Sequence, residues 1–118
     1  MVKFFMFSFE KKAVKRATEK LKKLLGDNLL TVLVFGSRVR GDFSAESDFD
    51  ILVVVKKRTF GIIDTINEVL SEEENKTGIP FSVVVKGMES FERERRHNTS
   101  FYRNIKREGI VLHGSAQR

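Results

Sequence analysis

Two short stretches hold residue types that could do chemistry together: Gly36-Ser37-Arg38-Val39-Arg40-Gly41 and Asp48-Phe49-Asp50. The aspartates lie two apart at the start of an apolar run, so a strand there turns both side chains to one face. Strand geometry sets their carboxylates roughly 6–7 Å apart. At an effective dielectric near 20 they repel by about 2–3 kcal/mol. A divalent cation relieves that best, and Mg²⁺ takes one or two carboxylates and fills its shell with phosphate oxygens and water. Gly36 lets the chain turn sharply and approach a ligand closely. Ser37 adds a hydroxyl, and a turn of exposed N–H groups is an anion site. Arg38 and Arg40 bring fixed positive charge. A phosphate cradle facing a carboxylate pair suits a nucleoside triphosphate with its Mg²⁺ and in-line displacement at phosphorus. The plainer alternative is structural, with the aspartates pairing with Arg38 and Arg40 or capping a turn. The order strand, Gly-Ser, ten residues from Arg38 to Ser47, Asp-x-Asp, strand favours the chemistry.

Positioning these residues requires strands on either side of the loop. Leu29 to Phe35 and Phe49 to Val55 are almost wholly apolar and rich in β-formers, as buried strands are. Between them, Gly36 to Ser47 is a loop or short helix, too short for an ordinary crossover, so the two strands should pair antiparallel. Helical spacing of apolar residues marks Glu10 to Leu25, with Ser8 as N-cap and Gly26 as C-cap, and Phe60 to Asn75, ended by Gly78. Ile79 to Val85 is a third strand, with Pro80 tolerable near its start. Met88 to about Glu108 is a charged helix interrupted near Asn98-Thr99-Ser100, capped by Gly109, and Ile110 to Leu112 is a last short strand. The expected fold is α+β, an α/β sandwich: a small mixed β-sheet with helices packed mainly on one face. Residues 1–118 are expected to form a single domain.

On Gly36-Ser37-Arg38-Val39-Arg40-Gly41 and Ser47-Asp48-Phe49-Asp50-Ile51-Leu52-Val53, the chain resembles a minimal nucleotidyltransferase of the DNA polymerase beta superfamily, of the kind found as HEPN/MNT antitoxins. The ending Phe101 to Gly109 also looks like this group. The resemblance implies that Gly36 and Ser37, with Arg38 and Arg40 near them, hold the triphosphate of ATP. It implies that Asp48 and Asp50 are catalytic and bind Mg²⁺. The implied reaction moves AMP to an acceptor hydroxyl, on a protein such as a HEPN-type toxin, and releases pyrophosphate. One departure matters. The family's third carboxylate, on the next strand, matches Ser82 here, which cannot accept a proton at neutral pH as a carboxylate does. Either the acceptor ionises unaided, or Asp42, Glu46 or Asp64 substitutes. The rival expectation is a catalytically weak or inactive nucleotide-binding antitoxin that neutralises its partner by contact.

Composition agrees with a folded protein. Of 118 residues, 41% are hydrophobic and 32% charged, which excludes a disordered or fibrous chain. Cysteine is absent, which excludes disulfides, a thiol nucleophile and Cys-ligated zinc. No apolar run approaches the ~20 residues of a membrane span, and a cytoplasmic protein is expected. The formal net charge of +6 suits an anionic partner. Between Lys11 and Lys23 seven basic residues face one acid, but no aromatics interleave, so nucleic acid is disfavoured there. The Phe-rich start from Val2 to Phe9 reads as part of the fold, either an inner strand or a homo-oligomer contact.

Overall fold

The computed structural model describes residues 8–36, 39 and 48–114. Helix α1 (Ser8–Leu25) runs through a 3-10 turn (Gly26–Asn28) into strand β1 (Leu29–Phe35). Strand β2 (Phe49–Val55), helix α2 (Phe60–Thr77) and strand β3 (Phe81–Gly87) follow. Helices α3 (Met88–Arg96) and α4 (Ser100–Glu108) and strand β4 (Ile110–His113) complete the order. The sheet runs β3-β2-β1-β4, with β2 and β3 parallel and the other neighbours antiparallel. The expected antiparallel pairing of the first two strands is therefore present.

Central strands β1 and β2 are apolar but for Thr31 and Asp50 because both their faces are covered. The two 18-residue helices take one face: Ala13, Val14, Ala17 and Leu21 of α1 and Ile66, Val69 and Leu70 of α2 pack on Val32, Val34, Ile51 and Val53. The two nine-residue helices cover the other, where Phe91, Tyr102 and Ile105 pack on Leu33, Leu52 and Val54. The longer helices thus favour one face, as expected, and a shorter second layer closes the sandwich.

Local chemistry sets the boundaries. Thr59 caps α2 by accepting from the Ile62 N–H at 3.2 Å, and Gly78 ends it in the left-handed region at φ 73°. Asn98, at φ 48°, breaks α3 from α4, and the Thr99 hydroxyl caps the new helix at the Tyr102 N–H. Ser8 is already helical rather than a cap, and β3 starts at Phe81, after Pro80, which has no N–H for the ladder. Val39 has helical backbone and is fully buried in the first core. The Val2 to Phe9 segment lies almost wholly outside the described residues; its last two residues, Ser8 and Phe9, open α1.

Candidate active site

The β1–β2 register sets Phe35 opposite Asp50, so Gly36 emerges beside that carboxylate. The approach is close. A Cβ built on Gly36 would lie 2.1 Å from Asp50 Oδ2, and Gly36 has φ +91°, where side chains are strained. Only glycine fits. Asp48 is exposed just before β2, and Asp50 is half-buried within it. Period-two alternation points both toward the α3–α4 side, the side of Leu52 and Val54. The parallel ladder pairs Asp50 with Ser82, which places a hydroxyl beside the carboxylate on the same face.

A third acid reaches the same corner from α4. Glu108 is buried, and its Oε1 accepts a hydrogen bond from the Gly36 N–H at 3.2 Å. Standard backbone dimensions then put this oxygen no more than about 8 Å from Asp50 Oδ2. Gly109 permits the arrangement, since a Cβ there would meet the Ile105 carbonyl oxygen at 2.5 Å. The sequence does carry a signal for Glu108. Tyr102, Ile105 and Glu108 recur every third residue on one buried stripe of α4, and an acid on an apolar stripe is unusual. The charged run around it hides that signal.

Among the expected site residues, the structure brings together Gly36, Asp50 and, one residue before β2, Asp48. Ser37, Arg38 and Arg40 lie outside the described residues, as do Asp42 and Glu46. Asp64 does not join them. It is exposed on α2, on the opposite side of the sheet, so it cannot stand in for the missing third carboxylate. No group of three or more His, Cys, Asp or Glu that could hold a metal occurs among the described residues. Two carboxylates are nevertheless a hard-oxygen donor set, and they suit a Mg²⁺ ion that takes its remaining ligands from phosphates and water. The bare Cα of Gly36 leaves room for the Asp50 carboxylate to sit at the turn.

Comparisons with known proteins bear on the family and the fold. The nucleotidyltransferase domain family matches residues 14–112. A candidate protein adenylyltransferase of Methanocaldococcus jannaschii is 35% identical over 104 residues, covering 88% of this chain and 98% of its own. Two solved structures share the fold. One is a toxin–antitoxin complex with AMP-PNP, at TM-score 0.57 and 20% identity, covering 87% of this chain and 75% of that one. The other is a tri-AMPylated Shewanella oneidensis HEPN toxin in complex with its MNT antitoxin, at TM-score 0.52 and 16% identity, covering 91% and 75%.

Proposed function

This chain belongs to the nucleotidyltransferase domain family, as a minimal nucleotidyltransferase of the DNA polymerase beta superfamily, and on that premise we propose that it moves AMP from ATP to a hydroxyl of a protein acceptor. The observation that carries the reading is the packing of Asp50 against the bare Cα of Gly36, with Asp48 on the same face. In this reading Asp48 and Asp50 hold Mg²⁺, which when bound neutralises charge on the triphosphate. Gly36 serves by its shape, because its N–H is committed to Glu108. Ser37 and the following N–H groups meet the phosphates, with Arg38 and Arg40 beside them. The acceptor oxygen attacks the α-phosphorus in line, and the bond to the β-phosphate breaks, releasing pyrophosphate.

Ser82 offers no carboxylate to take the acceptor's proton. General-base help is worth about 10²–10⁴-fold, so the matched acceptor is one that ionises readily. A tyrosine, with a pKa near 10, fits better than serine or threonine. The fold likeness to toxin–antitoxin complexes supports a HEPN-type toxin as the acceptor protein, and in this reading the chain is its cytoplasmic antitoxin. Among the described residues no helix is long and apolar enough to cross a membrane. Ser82 also favours a second reading, neutralisation by binding with little turnover.

Incubation of both proteins with ATP and Mg²⁺, followed by intact-mass measurement, tests the proposal. The partner should gain the mass of one or more AMP groups, and D48N with D50N should abolish the gain. Undiminished labelling by that variant defeats the mechanism. Turnover that rises in S82D assigns the wild type's slowness to the missing carboxylate. No labelling by the wild type, with the partner still inhibited, establishes the binding-only reading.

A further inference from the structure

Around the far ends of β2 and β3 lies a cavity of about 660 Å³ whose charged lining is Lys56, Lys57, Arg58, Lys86 and Arg93, with Glu89 as its one acid. It is remote from the aspartates. Five residues of extended strand separate Asp50 from Val55, about 17 Å, and Lys56 follows that end. The basic segment is held in place rather than loose. The Lys56 N–H donates to the Asn28 carbonyl at 2.9 Å, and the Lys57 N–H to Asn28 Oδ1 at 3.2 Å. Arg58 Nε donates to the Val85 carbonyl at 3.0 Å, which ties the ends of the two strands together. Two residues on stands Phe60, with 88% of its surface exposed. A ring so placed gains nothing from the core, where fully burying Phe is worth about 1.5–3 kcal/mol.

Cations fixed around a cavity, followed directly by an exposed aromatic ring, combine the two contacts that a single-stranded nucleic acid uses: phosphates on the charges and a base on the ring. We propose that this end of the sheet binds single-stranded nucleic acid, with Lys56, Lys57, Arg58 and Arg93 on the backbone and Phe60 stacked on a base. A duplex hides its base faces and would leave Phe60 unused. An acidic peptide would satisfy the cations but offers the ring no flat partner. The sequence disfavoured nucleic acid because the basic run of α1 lacks aromatics; this surface is a different one, assembled by the parallel pairing of β2 with β3.

The test is fluorescence anisotropy of a labelled 12-nucleotide oligo(U) RNA with the full chain at 50 and 200 mM salt. Four phosphate contacts on a single strand predict an affinity loss of about 50-fold over that range. F60A should weaken binding about 5- to 100-fold with the salt slope unchanged. K57E with R93E should weaken it further and roughly halve the slope, while nucleotidyl transfer persists. Circular dichroism checks that each variant is folded. The proposal is overturned by absent binding at 50 mM salt, or by equal or tighter binding of a duplex of the same length. It is likewise overturned if K15E with K22E on α1 removes binding that K57E with R93E leaves intact. Competition by polyglutamate that matches the RNA, with F60A indifferent, would assign the surface to an acidic protein instead and overturn the proposal.

Discussion

The two ends of strand β2 carry opposite charge and are built in opposite ways. At the amino end Asp48 and Asp50 repel each other, and the surroundings are exacting: a glycine that tolerates no Cβ, a register-matched serine, and a buried glutamate on the turn's N–H. At the carboxyl end Lys56, Lys57 and Arg58 are exposed, and their own backbone and guanidinium bonds to Asn28 and Val85 do the holding. Like charges that must converge on one small ion need fixed, short-range geometry. Charges that meet a long polyanion need only number and exposure, because each contact is weak and interchangeable. Substitutions at the first end should therefore be costly one at a time, and at the second end only in combination.

The largest effect that sharpens this contrast is expected from D48N with D50N. Adenylyl transfer should fall by at least about 10³-fold, the scale of losing preorganised electrostatic stabilisation. ATP with Mg²⁺ should raise Tm of the wild type and not of the variant, as read by calorimetry. An equal rise in both would break the comparison. Next in size is G36A, which forces a Cβ against Asp50 at positive φ and should cost about 1–3 kcal/mol in urea unfolding. The matched change at the other end, K57A, should stay within about 0.5 kcal/mol. Similar costs for the two would show that the amino end is no more constrained than the surface. E108A follows, leaving the buried Gly36 N–H without its acceptor at about 1–3 kcal/mol. E108Q keeps an acceptor oxygen and should recover most of that stability. Failure of Gln to rescue would mean that the charge of Glu108, rather than its hydrogen bond, holds the turn.

Most of the frame was legible in the sequence. β1 and β2 are such continuous apolar runs that their burial on both faces follows from composition, and Thr99 after Asn98 marks the break between α3 and α4. Ser82 was readable only as the position that matches the resembled family's third carboxylate; its place beside Asp50 comes from the parallel β2–β3 register. Two things were not legible. Glu108 and Glu73 both sit on apolar stripes, yet one holds the Gly36 turn while the other pairs with Arg16 across α1 and α2 at 2.5 Å. Helical period shows that each is buried, but which partner it meets depends on how distant elements pack. The basic surface was hidden for the same reason. Lys56 to Arg58 follow a strand end and Arg93 falls in a charged helix, and only the β2–β3 pairing together with the packing of α3 brings them to one cavity.

Apart from the K57A control, the smallest expected effect concerns the acid fastened to that basic end. Glu94 pairs with Lys86 at 3.1 Å, and its carboxyl is held below the usual carboxylate range, first by the Thr99 hydroxyl and then by the Lys86 ammonium. A folded-state pKa below the unfolded value adds stability above the unfolded pKa and loses it as pH falls through the folded one. Wild type should therefore exceed E94Q by about 1 kcal/mol at pH 7, with the gap closing in acid, as followed by urea unfolding. Because Lys86 lines the groove while already paired, freeing it should also tighten oligo(U) binding slightly and steepen its salt dependence. A gap that persists in acid would mean that the Gln variant perturbs packing and not charge. RNA binding unchanged in E94Q would remove Lys86 from the surface and leave the carboxyl end of β2 as the dominant source of its positive field.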